Sequence, residues 1–172
     1  MTRWALTAGA AAVLLGACAH APLDGPPLTV RLEVIDQAAI DFDAPALVER
    51  AVRRRILARP ELALSADSAA PVLRVWLQAI RNDRLPGSDP RLRAPRYRVA
   101  VELRAEVPGA EAVPEPISAS AVGEAVYVAR AGEIGRLDGV FRTFLARAAE
   151  EAADRIVDLV AAKHRRFTSG AR

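Results

Sequence analysis

Six arginines, Arg81, Arg84, Arg91, Arg93, Arg96 and Arg98, fall within 18 residues, offset there only by Asp83 and Asp89. A guanidinium is planar, permanently charged and forked, so it grips phosphate and carboxylate oxygens two at a time. The cluster therefore has the chemistry of anion recognition. Beside an anionic lipid surface each basic residue contributes about 1 kcal/mol before salt screens it. Arginine is also this chain's general choice of cation, with a single lysine, Lys163, among 24 basic residues. The pattern by itself thus leaves two readings open, a binding surface and a solvated loop. Trp76 precedes the cluster and Tyr97 lies within it, and each suits a half-buried position as well as an extended surface.

Other chemistry is sparse. The two histidines are far apart: His20 precedes the first periodic segment, and His164 lies near the end of the last helical pattern, where a cation favours the helix dipole. Both are expected to be solvated. One cysteine allows no internal disulfide and no multi-cysteine metal site. No Gly-rich phosphate loop, zinc-binding His-Glu-x-x-His or nucleophile motif occurs, so no enzyme activity, metal or cofactor is expected. Glu150, Glu151, Asp154 and Asp158 recur at helical spacing, with Arg147 and Arg155 interleaved, and are expected to form a charged exposed face. The net charge of +3 carries no implication of nucleic acid, and none is expected as a partner.

The only cysteine, Cys18, has a specific setting. Arg3 supplies one positive charge, residues 4–17 carry none, and the run ends Leu15-Gly16-Ala17-Cys18. This is the layout of a secretory leader, and the four residues resemble the lipobox of bacterial lipoproteins. The resemblance implies cleavage before Cys18, with acylation of its sulfur and new amino group by fatty chains such as palmitate. A spanning helix would need about 20 apolar residues, and this run is shorter, ending at His20, Pro22 and Asp24. Two or three acyl chains hold a protein stably where one does so only marginally. Ala19 rather than Asp after the cysteine resembles the sorting pattern for the outer membrane, with the domain facing the periplasm.

With 172 residues, 52% of them hydrophobic, the chain has material for one globular domain behind this leader. Expected divisions are a signal peptide over 1–17, a lipidated flexible tether over 18–27, one domain over 28–164 and a polar, frayed tail over 165–172. Residues 28–35 alternate and read as a strand. Pro45 starts a helix that Asp43 is expected to cap, with Leu47, Val48, Ala51, Val52 and Ile56 as its apolar stripe and Arg53-Arg54-Arg55 as part of a solvated side. A short strand over 61–65 follows. A longer one over 72–81 has Leu73, Val75, Leu77 and Ala79 inward. Three prolines and a glycine make 82–95 a loop or ragged hairpin tip. Residues 96–107 show the cleanest alternation, and 117–128 read as a further strand whose small side chains and Gly123 point to a close neighbour or a bulge. A long helix over 137–164 carries Phe141, Phe144, Leu145, Ala148, Ala152, Ile156, Leu159 and Val160 at period 3.6. The fold expected is α+β, a two-layer sandwich in β-α-β-β-β-α order, with a mixed or antiparallel sheet of about four strands and both helices on one face.

That order, with Pro71-Val72-Leu73-Arg74-Val75 leading to Arg81-Asn82-Asp83, Tyr97 to Gly109, Pro116-Ile117-Ser118-Ala119 and Arg147-Ala148-Ala149-Glu150, resembles the lipopolysaccharide-assembly lipoprotein family LptE over most of the chain after Cys18. The resemblance implies a partner in an LptD-like outer-membrane β-barrel and lipopolysaccharide, or another anionic lipid, as ligand of the arginine-rich tip. Residues after Cys18 and before the last helix depart from the family pattern. The element order also resembles auxiliary lipoproteins of lipid-transporting ABC systems, which is the alternative assignment. Cys18→Ala is expected to leave the precursor uncut and without acyl chains, as intact-mass measurement on membrane extracts would show.

Overall fold

A computed structural model describes residues 26–38, 43–88, 94–109, 115–129 and 137–170. Five strands and two helices follow in chain order: β1 (Leu28–Asp36), α1 (Ala44–Leu57), β2 (Leu62–Leu64), β3 (Val72–Ser88), β4 (Pro95–Val107), β5 (Ile117–Val128) and α2 (Leu137–Gly170). The strands form one sheet in the order β2-β1-β3-β4-β5. β1 is parallel to both neighbours, while β3, β4 and β5 are antiparallel. The α+β architecture is as expected, and the short strand read over 61–65 is present as β2.

Alternation dictates the layers. Val30, Leu73, Val75, Leu77, Val99, Val101, Leu103, Ala105 and Ile117 are buried under the helices, while Arg74, Arg96, Arg104, Ser118 and Ser120 remain exposed on the opposite face. The wet face is laced by ion pairs, Arg74–Glu33 at 3.4 Å, Arg81–Glu102, and Arg104–Glu106 at 3.6 Å, and the Arg104 guanidinium lies 5.7 Å from the centre of the Trp76 ring. One half-wet sheet therefore satisfies both demands of the sequence.

α2 is wedged between the sheet and α1, and so buries two adjacent stripes: Ala148, Ala152 and Ile156 with Ala149, Ala153, Val157, Val160 and Ala161. Leu159, placed in the stripe by period alone, is instead 41% exposed, because the buried sector is centred away from it. The small residues of β5 mark a close approach rather than a bulge. A Cβ on Gly123 would stand 2.0 Å from the Ala148 carbonyl oxygen and 2.3 Å from the Ala152 nitrogen, so helix backbone touches strand backbone there.

Several expectations need correction. Residues 82–88 do not form a loop: β3 continues to Ser88 because Asn82, Asp83 and Arg84 pair with Val99, Arg98 and Tyr97, and Ser88 meets Pro95. The prolines are accommodated at the strand's irregular end, where the register shifts between Arg84 and Ser88 and Gly87 takes φ +80°, a left-handed conformation open to glycine. A second register shift between Leu77 and Ala79 reverses the alternation, turning Ile80 inward and Ala79 outward to face Glu102. Asp43 makes no side-chain cap; its backbone carbonyl accepts from Leu47 N at 2.8 Å. α2 runs to Gly170, beyond the expected end at His164, because Phe167 still packs against the core. The leader and Cys18 lie outside the described residues.

Gly123→Ala is expected to destabilise the domain by about 2–3 kcal/mol, the usual cost of overpacking a tight contact. Thermal unfolding against Ser120→Ala, an exposed substitution on the same strand, would measure it.

Candidate functional site

The arginine cluster lies on the far half of the β3–β4 hairpin, and register decides which way its members face. Arg81 and Arg98 lie on the wet face with Asp83, and Arg96, two residues from Arg98, shares it. Arg84, opposite Tyr97, is on the helix-side face. The structure therefore splits the cluster between two faces. It also divides it by charge. Arg81 is paired with Glu102, and Arg98 lies 3.3 Å from Asp83 and 3.5 Å from Glu124. Arg98 keeps one buried Nε without a partner. Arg84 and Arg96 are exposed and have no ion-pair partner among the described residues. Arg91 and Arg93 lie outside the described residues. Next to the cations Arg96 and Arg98, β5 places Val128 and the exposed Val126, so guanidiniums alternate with aliphatic side chains on this face. Such a surface suits an anionic amphiphile better than a free inorganic ion.

Tyr97 does not extend that surface. It stacks on Tyr127 with centroids 5.3 Å apart, and Tyr127 stacks on Phe144 of α2 at 5.2 Å. Asn82 Nδ2 donates to the Tyr127 hydroxyl at 3.2 Å, and the Arg147 guanidinium lies 5.0 Å from the Phe144 ring centre. This aromatic spine ties the hairpin to α2 and was not foreseen from sequence; the signal available was two tyrosines in alternating strands that can pair. Trp76 is on the wet face nearer the other end of the sheet, opposite Ile35 and Arg104.

Concavities among the described residues lie elsewhere. One of about 270 Å³ between the first turns of α1 and α2 is lined by Ala44, Leu47, Phe141 and Leu145, with Asp43, Arg50 and Arg142 as its polar wall. Another, about 460 Å³ and shallow, lies where Lys163 reaches round the edge of β5, with Gln78, Arg104, Ser118, Ser120 and Leu159 around it. Among the described residues no group of three or more His, Cys, Asp or Glu could hold a metal ion.

The helix-spaced carboxylates are substantially exposed, as expected of a charged face, and they also reach across to neighbouring elements. Glu150 takes Arg54 at 2.8 Å, Asp154 takes Arg55 at 3.4 Å, and Asp158 accepts from Arg55 at 3.1 Å and from Arg59 Nε at 2.8 Å. Glu151 accepts from the Glu124 backbone N–H at 2.7 Å, while Arg155 and Lys163 donate to the Val122 and Ser118 carbonyls, so α2 side chains cover the outer edge of β5. Burial pushes the Asp158 carboxyl up, but donation and positive charge from Arg55 and Arg59 outweigh it and hold the group below the usual carboxylate range. The same bond raises the Arg55 guanidinium above its ordinary value. His164 is 7% exposed, not solvated, with Nε2 3.4 Å from the Pro26 carbonyl oxygen. His20 lies outside the described residues.

The hairpin and the entry of the chain occupy opposite ends. Arg31 pairs with Val72, so Leu28 lies three steps below the start of β3, and Arg84 lies near its far end. At about 3.3 Å per residue the separation is roughly 45 Å.

No family model and no curated protein matches this chain. Among solved structures, the rare lipoprotein B from Shewanella oneidensis is similar at a TM-score of 0.55 and 18% identity, covering 81% of this chain and 98% of that one. A minor lipoprotein from Acinetobacter baumannii is similar at a TM-score of 0.50 and 14% identity, covering 79% and 92%. The fold is one that bacterial lipoproteins use.

Asp158→Asn is expected to lower stability near neutral pH by about 1 kcal/mol, a value reduced for the partial exposure of the pair. A carboxyl depressed in the folded chain stabilises it above the unfolded pKa of about 3.9, and that contribution fades as pH falls through the folded value. The gap between wild type and variant in denaturant midpoint should accordingly close on acidification below pH ~4.

Proposed function

We propose that this protein is a non-enzymatic outer-membrane lipoprotein, acylated at Cys18, that acts in lipopolysaccharide assembly beside an LptD-like β-barrel. The observation that carries this reading is the placement of the exposed hairpin arginines at the end of the sheet remote from residue 26. A chain anchored through Cys18 holds that end away from its own anchor, where the hairpin meets an anionic amphiphile in transit. Arg84 and Arg96, free of carboxylate partners among the described residues, bind phosphate or acidic sugar groups; Val126 and Val128 lie against the apolar portion. The ion-paired Arg81 and Arg98 keep the strands in register. The shared fold with rare lipoprotein B supports the lipoprotein part of this reading, and Leu15-Gly16-Ala17-Cys18 supports the anchor.

The double variant Arg84→Ala/Arg96→Ala is expected to weaken lipopolysaccharide binding roughly ten- to thirtyfold, at about 1 kcal/mol per cation near an anionic surface. Arg81→Ala should change it far less. Equal loss from both variants, or none from either, removes the role assigned to the hairpin. Cross-linked pull-down from outer membranes should recover a β-barrel; recovery of an ABC permease with its substrate-binding protein would favour the transporter assignment instead.

A further inference from the structure

The end of the domain opposite the hairpin has its own chemistry. Here β1, β2, β3 and β5 begin, β4 ends, and both helices finish. After Asp158, α2 carries no acidic residue but has Lys163, Arg165 and Arg166. Lys163 donates to the Ser118 carbonyl, and Arg165 lies 3.3 Å from the buried Glu61 carboxylate. Arg166 is exposed and has no partner among the described residues. Past His164, α2 continues to Gly170, adding about 9 Å of helix at 1.5 Å per residue beyond the level at which the ring meets Pro26. At the close of α1, Leu57 is 72% exposed, the most exposed large apolar side chain among the described residues. Glu115, just before β5, and Asp67, between β2 and β3, are exposed acids of the segments at this end.

The chain's approach to the domain is fixed to the same end. Pro26 and Pro27 lead into β1, with the Pro26 carbonyl against His164. Eight peptide steps separate Pro26 from Cys18, which reach at most about 30 Å even when fully extended. The hairpin stands roughly 45 Å along the sheet from this point. An upright pose with the hairpin on the anchoring bilayer would overstretch the link, whereas the opposite pose leaves it slack. On the flat wet face Arg74, Arg81, Arg98 and Arg104 are paired to Glu33, Asp83, Glu102, Glu106 and Glu124, which leaves Arg31 and the hairpin's Arg96 as its cations without an ion-pair partner among the described residues.

We infer that this base is a bilayer-docking surface: Arg165, Arg166 and Lys163 settle on anionic lipid headgroups of the leaflet that holds the acyl chains, Leu57 enters the interface, and the hairpin is held away from the membrane. The occupant is an anionic lipid surface, recognised by positive charge beside an exposed aliphatic side chain. This inference rests on the acylation of Cys18 proposed above. It assigns to the base the headgroup contacts that the arginine cluster would otherwise be given, and leaves the hairpin for ligands from elsewhere.

The test uses the acylated mature protein on vesicles of phosphatidylcholine alone or with about 30% phosphatidylglycerol, an anionic surface of the kind that attracts such clusters. Because its one cysteine is consumed by acylation, a single added thiol takes a donor dye without ambiguity. Ser169→Cys labels the base and Pro86→Cys the hairpin, with the acceptor dye in the headgroup layer. On anionic vesicles energy transfer is expected to be strong from position 169 and weak from 86. Leu57→Glu/Arg166→Glu alters two exposed side chains, so the fold is not at issue, and it should lower the population in the base-down pose by about five- to thirtyfold. Equal transfer from both positions, stronger transfer from 86, or indifference to phosphatidylglycerol and to the double variant would overturn the inference while leaving the anchor intact. An intact mass lacking acyl chains, with no vesicle binding, would remove the anchor and this inference together.

Discussion

The packing depends on the contact of α2 with β5 at Gly123, where strand and helix backbones touch because neither side offers a side chain larger than a methyl. Interiors close-pack, and an added carbon at such a point has nowhere to go. The alanines at 148, 149, 152 and 153 let the helix sink between sheet and α1. From that depth its side chains reach in three directions: Phe144 to the tyrosines of the hairpin, Asp154 and Asp158 to the arginines of α1 and the turn after it, and Glu151, Arg155 and Lys163 to the open edge of β5. A bulkier interface would lift α2 outward and loosen all three sets at once.

Charge is distributed by the same geometry. Across the flat of the sheet most arginines find carboxylates, Arg74 on Glu33, Arg81 on Glu102, Arg98 on Asp83 and Glu124 and Arg104 on Glu106, and between the helices acidic side chains meet basic ones. Pairs of this kind contribute little individually when exposed. Arg31 and Arg50 have no ion-pair partner among the described residues, and neither do Arg84 and Arg96 on the hairpin or Arg166 beside Lys163 and Arg165 at the base. The result is a domain with cations at each of its two ends.

On the anchoring proposed above, the domain has a defined near side and far side, and the cations at its two ends would meet different anions. The long antiparallel hairpin supplies the reach, and the aromatic spine of Tyr97, Tyr127 and Phe144 stiffens it against α2. Without that support a projecting hairpin would depend on its own cross-strand pairs, which is marginal for an isolated ribbon.

Periodicity is a local property, and the sequence by itself determined what depends on it: the α+β class, the order of the elements and the wet and dry faces of β4, while at Gly123 it left a close approach and a bulge both open. Pairing across the chain is not local, and there the tertiary structure decided. The prolines of 82–95 read as loop because their breaking tendency is visible residue by residue, whereas the pairing with β4 that keeps residues 82–88 extended is not. The Leu77–Ala79 bulge, which put Ile80 rather than Ala79 in the core, is a register fact with no signature in one strand. The arginine cluster was legible as a composition, but its division between two faces, and between paired and unpaired cations, required the register of β3 on β4. His164 looked solvated because helical spacing shows which residues share a face, and only packing shows what that face meets; the exposed α2 carboxylates were legible as a charged face, but their partners on α1 were not.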